Sequence, residues 1–180
     1  FHYEYMKKKY GVNAKLLFTD TDSLCYEVKT RDIYQDMLED AELFDTSEYT
    51  QDHPLHSIRN KKVLGKMKVE THGIPIQEFI GLRPKMYSIL YTENNKQVEK
   101  KTAKGIKKSV TKKKIRHDNY KICLLDKKQT KASMNQIRSN GHEIYSIKLN
   151  KIALSPYDDK RFILEDGVST LAHGHYKINI

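Results

Sequence analysis

The segment LLFTDTDSLC, Leu16 to Cys25, constrains this chain more than any other part of it. The apolar run Leu16-Leu17-Phe18 predicts a short buried strand, and the chain turns apolar again at Leu24, Cys25, Tyr26 and Val28. Between them lie Asp20 and Asp22, separated by Thr21 and followed by Ser23. The pattern predicts strand, tight acidic turn, strand, over roughly Ala14 to Lys29. Residues two apart on an extended chain point the same way, so both carboxylates can aim at one small volume. Like charges held so close repel unless a cation lies beside them, and a divalent metal is the usual cation. Asp-Thr-Asp-Ser is also good turn chemistry without a metal, because these side chains bond local backbone groups.

A second landmark is GLRPKMYSILY, Gly81 to Tyr91. Alternation predicts Lys85 and Tyr87 on one strand face. A cation beside an aromatic hydroxyl suits a phosphate-sugar end, and a surface strand with a snorkelling lysine fits the same letters. The third landmark runs from Lys96 to Lys114, where Glu99 is the sole acid. Gly105 lets the backbone approach a ligand closely. Lys101, Lys104, Lys107 and Lys108 surround it, and Ile106 and Val110 can anchor it. This grouping predicts contact with phosphates, against the alternative of a solvated face or flexible arm.

Net charge decides the class of partner. The 180 residues carry a formal charge of +10, which points to a polyanion. Nucleic acid is favoured over a membrane, because no basic amphipathic helix and no bilayer-spanning apolar run is present. Cys25 and Cys123 lie too far apart in sequence to suggest a disulfide framework or a zinc spacing, so a reducing compartment is expected. His53 and His56 form a loop pair without the further ligands that a metal site needs.

Along the chain, Phe1 to Lys9 predicts a helix stopped at Tyr10-Gly11, and Arg31 to Leu43 a second short one. Asp45 to Asn60 reads as loop. Val63 to Val69 and Phe79 to Tyr91 predict strands beside the acidic hairpin. Arg116 to Asp126 predicts a helix, and Ala132 to Arg138 fits no single template. Asn140-Gly141 signals a hairpin turn leading into a strand over Glu143 to Leu154. SPYDDKRFILEDG is expected to end the ordered core. The abrupt start at Phe1, already helical in pattern, reads as a cut.

FTDTDSLCYEV closely resembles motif C of family B DNA polymerases, Tyr-x-Asp-Thr-Asp-Ser, with Phe18 in place of the usual tyrosine. Lys85-x-Tyr87 resembles the Lys-x-Tyr motif that follows motif C in that family. The likeness is greatest to protein-primed polymerases of self-replicating DNA transposons and related viruses. It implies an α+β fold. Residues 1–92 would be the C-terminal part of an antiparallel-sheet palm with the motif C hairpin. Residues 93–180 would be a thumb-like basic subdomain of helix and β-hairpin with a C-terminal tail.

The resemblance further implies that Asp22 ligates two catalytic magnesium ions with Asp20 beside them. Lys85 and Tyr87 would hold the primer terminus, and Lys101, Lys104, Gly105, Lys107 and Lys108 the DNA backbone. The implied partners are a primer–template duplex, dNTPs and a terminal protein primer, in the nucleus if the host is a eukaryote. Motif A, which carries the other metal aspartate, and motif B are not found in the chain, so it is expected to be inactive alone. Two other classes fit parts of the pattern. A DxD metal-dependent glycosyltransferase explains Asp20 and Asp22 but not the lysines, and a non-catalytic DNA-binding remnant of a mobile element explains the lysines without the chemistry.

Overall fold

The computed structural model describes residues 1–157, 161–172 and 174–178. The fold is α+β, with short helices and small sheets that are mostly antiparallel. The chain forms two compact units: Phe1–Glu78 with Tyr91–Val98, and Phe79–Leu90 with Glu99–Ile180. Among the described residues, no helix is long and apolar enough to cross a membrane.

In the first unit, a π-helical turn at His2–Met6 runs into α1 (Lys7–Tyr10) and a 3-10 turn at Gly11–Asn13. The hairpin follows as β1 (Ala14–Asp20) and β2 (Ser23–Val28). Helix α2 (Ile33–Glu39) starts where Asp32 accepts hydrogen bonds from the Tyr34 and Gln35 N–H groups at 2.8 and 3.3 Å, which satisfies donors that a helix start leaves open. Two short strands, β3 (Phe44–Asp45) and β4 (Met67–Lys68), pair in parallel. The core is Met37, Phe44, Tyr49 and Leu55, with Tyr5, Ile33 and Met67 packed against it. Lys9 reinforces it from the side. Its ammonium donates to the Asp36 carbonyl at 2.9 Å and to the Asp40 carboxylate, which also accepts the Tyr5 hydroxyl at 3.0 Å.

Two expectations change here. The predicted strand over Val63–Val69 shrinks to β4, because Gly65 adopts a left-handed φ of 81° and Leu64 is 97% exposed. A turn that leaves its apolar residues in water has no buried face to hold a strand. In addition, β1 pairs only with β2 among the described residues, so no further strand joins the hairpin's sheet. Leu16 and Phe18 are therefore half-buried and Leu17 is exposed, where a buried run is expected.

The second unit takes the Phe79–Leu90 and Glu99–Ala103 parts of a three-stranded sheet of β5 (Glu78–Arg83), β6 (Met86–Glu93) and β7 (Lys96–Ala103). Helices α3 (Lys108–Lys114) and α4 (His117–Leu125) follow. A long hairpin comes next, of β8 (Thr130–Asn140) and β9 (Glu143–Leu154). The core gathers Ile80, Met86, Ile115, Tyr120, Cys123 and Leu154. Ser88 and His117 form a hydrogen bond of 2.7 Å inside it. The hairpin turn centres on Gly141 and His142, both at positive φ, one residue later than Asn140-Gly141 predicts. The unassigned Ala132–Arg138 is strand, and both strands grow exposed towards the tip. Beyond it, β10 (Arg161–Ile163), within the stretch expected to end the ordered core, pairs with β11 (Thr170–Ala172), which lies past that stretch, in a small hairpin. Asp158 to Lys160 of that stretch lie outside the described residues.

Candidate active site and nucleic-acid surface

Asp20 ends β1, and Asp22 lies in the turn to β2. The carboxylates thus do not alternate along one strand, as the spacing suggests. A three-residue turn joins the two residues through the backbone instead. The Asp22 N–H donates to the Asp20 carbonyl at 2.8 Å, and Thr21 between them has φ 59°. That φ belongs to the rarer, strained γ-turn form, and a β-branched residue there is an outlier. Ser23 Oγ adds a donor to the Asp20 carbonyl at 3.2 Å. Upstream, the pairing passes from Leu16–Tyr26 to Phe18–Cys25, which leaves Leu17 as the extra residue of a bulge. Bulges increase local twist and re-aim the side chains that follow. Strain and bulge both act on the turn that holds the two acids.

Asp22 is exposed and Asp20 half-buried, so at least one carboxylate is open to a ligand. Oxygen donors of this kind suit a hard cation such as magnesium, which commonly takes one or two carboxylates and completes its shell with waters and substrate phosphates. Among the described residues, no group of three or more His, Cys, Asp or Glu gathers in a metal-binding arrangement. The turn itself contributes two carboxylates, those of Asp20 and Asp22. His53 and His56 have local uses: His53 Nδ1 accepts the Leu55 N–H at 3.1 Å, and His56 Nδ1 is 3.0 Å from the Tyr49 carbonyl.

Lys85 and Tyr87 lie in the second unit, on different elements. Lys85 sits in the Pro84-Lys85 turn between β5 and β6 at φ 60°, so it does not share a strand face with Tyr87 as alternation predicts. Proline fixes a negative φ and so forces the left-handed residue of this tight turn onto Lys85. Tyr87, on β6, stacks on Phe79 with ring centroids 6.2 Å apart. Gly81 allows this, because a Cβ there would come within 3.1 Å of the Phe79 ring.

The lysine-rich stretch divides in two. On β7, Lys101 turns inward with Ala103 and pairs with Glu99, and its side chain is only 6% exposed. Burial pushes the Glu99 carboxyl up, but hydrogen bonds from Lys101 and the His117 backbone N–H outweigh it and hold the group below its ordinary value. Lys101 thus does not present its charge as Lys104, Lys107 and Lys108 do, which are all exposed. Gly105 has φ 87° in the loop between β7 and α3. The Lys104 N–H donates to the Lys85 carbonyl at 3.0 Å. This bond joins two segments that sequence reasoning singles out separately, Lys85–Tyr87 and Lys104–Lys108.

A groove runs beside the same loop, with a cavity volume of about 610 Å³ between Gly105–Lys107 and the β8–β9 hairpin. Sequence reasoning misses its far wall, Met134 to Ile137, because β8 has no clear pattern. The clear pattern of β9 is the available signal: a strand of that length after a hairpin turn demands a partner upstream. Compared with protein-family models, curated proteins and solved structures, the chain matches none.

Proposed function

We propose that the chain is the C-terminal palm and thumb part of a family B DNA polymerase of the protein-primed type. Its reaction would be template-directed nucleotidyl transfer from dNTPs to a primer end. The observation that supports this best is the Lys104-to-Lys85 hydrogen bond, which sets the candidate primer-terminus turn beside the exposed lysines around Gly105. A primer end and its adjoining duplex backbone need such neighbours. The acidic turn supports the reading from the other unit. Asp22, helped by Asp20, would hold magnesium, which supplies charge neutralisation at the reacting phosphates. Lys85 would meet phosphate and Tyr87 the sugar of the primer end. Lys104, Lys107 and Lys108 would grip phosphates without reading bases. A terminal protein primer is the further partner this reading implies.

The test uses a polypeptide in which this chain follows segments supplying motifs A and B. Asp22→Asn is expected to lower primer extension by on the order of 10²-fold or more while leaving duplex binding intact, since the amide keeps the shape and removes the charge. Near-normal extension by that variant would refute the motif C assignment. The chain alone, with two carboxylates in its acidic turn, is expected to extend no primer.

A further inference from the structure

We propose that the groove between the Gly105–Lys107 loop and the β8–β9 hairpin takes an unpaired nucleotide of a single DNA strand. This rests on the nucleic-acid reading above and extends it from backbone contact to a base-binding subsite. The argument starts from the wall chemistry. Ile106 comes from the loop and Met134 from β8, and the Lys107 N–H lies 3.4 Å from the Met134 sulfur, so loop and strand touch at the groove's inner end. Gln136 follows Met134 at two-residue spacing and stands on the same strand face. That face passes from buried at Met134 to exposed at Gln136, so an apolar floor leads outward to a carboxamide.

Those features match a free nucleobase. Its faces are apolar and polarisable and suit Ile106 and the Met134 thioether. Its edge carries donors and acceptors in pairs, which a carboxamide can answer with one of each. Pockets that bury small organic ligands span roughly 300–1,000 Å³, and this groove has about 610 Å³. A paired base shows only its groove edges and cannot enter, so the occupant is unpaired.

Charge complementarity supplies the rest. Lys104, Lys107 and Lys108 are exposed at the loop side, and the Lys151 ammonium lies 3.4 Å from the Gly105 carbonyl. Any nucleotide in the groove would have cations within reach of its phosphates. Gly105 keeps the entrance backbone-thin, and a Cβ there would come within 3.4 Å of the Lys151 ammonium.

The experiment compares a fluorescein-labelled single-stranded oligodeoxynucleotide with the duplex of the same sequence, by anisotropy on the full chain. Gln136→Leu keeps size and removes the amide at an exposed position. It is expected to weaken single-strand binding by about fivefold or more, the scale of one amide–base pairing, and to leave duplex binding unchanged. A strand carrying iodouracil is expected to photocrosslink within Gly105–Lys107 or Met134–Ile137. Unchanged single-strand affinity, equal losses on both probes, or crosslinks confined elsewhere would overturn the groove proposal while sparing the DNA reading. A wild-type chain that binds neither probe would overturn both.

Discussion

Thr21→Gly should make the protein more stable and, in a polymerase containing it, less active. Thr21 is held at φ 59° between the two acids by the Asp22-to-Asp20 hydrogen bond of 2.8 Å. A left-handed conformation costs an L-residue about 1–2 kcal/mol, and a β-branched side chain belongs at the upper end. Glycine relieves that strain but has more freedom to lose on folding, worth about 0.5–1 kcal/mol. The difference is a gain of about 1 kcal/mol. Thermal unfolding followed by circular dichroism would show a rise of about 2–4 °C if the chain melts as one body, or about 4–8 °C if the hairpin's unit melts alone. Thr21→Ala is the control. It keeps a Cβ at positive φ and should shift the midpoint little.

The functional arm carries the opposite sign. Backbone strain persists where surrounding structure over-determines it, often at sites that need a fixed geometry. A glycine between the acids lets them wander, so primer extension by a polymerase containing the chain should fall as stability rises. A Thr21→Gly variant that is no more stable than wild type would refute the strain argument. One that is more stable and equally active would refute the link between strain and carboxylate placement.

Replacing Lys104, Lys107 and Lys108 by Ala should flatten the slope of log affinity against log salt by roughly 0.9 for each phosphate that is no longer neutralised. The same change at exposed Lys7, Lys29 and Lys61 should leave the slope alone, and equal effects would reduce the loop to a general surface charge. Lys9 is unsuited as a control, since its ammonium is tied to Asp40 and the Asp36 carbonyl. The hydrogen bond from Lys9 holds the Asp40 carboxyl below its ordinary value, so Asp40 contributes stability above its unfolded pKa and loses it as pH falls through the folded one. The melting-point gap between wild type and Asp40→Asn should therefore be open at neutral pH and close in acid. A gap that is constant with pH would show that the carboxylate's charge does not matter.

What was legible in the sequence follows from which physical signals are local. The acidic hairpin could be read because two apolar runs bracket one short turn, and β1 and β2 end within a residue or two of the expected limits. The turn's own conformation could not, because Thr21 takes a left-handed φ that its side chain disfavours. Only the closing of the hairpin around it selects that state. Lys85 shows the same limit: strand alternation does not carry across Pro84, which ends one strand and starts the turn to the next. For the long hairpin, moving the turn by one residue shifts each cross-strand partner by two, so every side chain keeps its face. Alternation therefore cannot distinguish Asn140-Gly141 from Gly141-His142. Lys101 passes for an exposed lysine in the sequence because a charge run looks uniform in one dimension. In the fold it has the parity of Ala103, and that parity carries it inward to Glu99. The exposed part of the run is what remains after this subtraction, Lys104, Lys107 and Lys108, and it is the part that lies beside the groove.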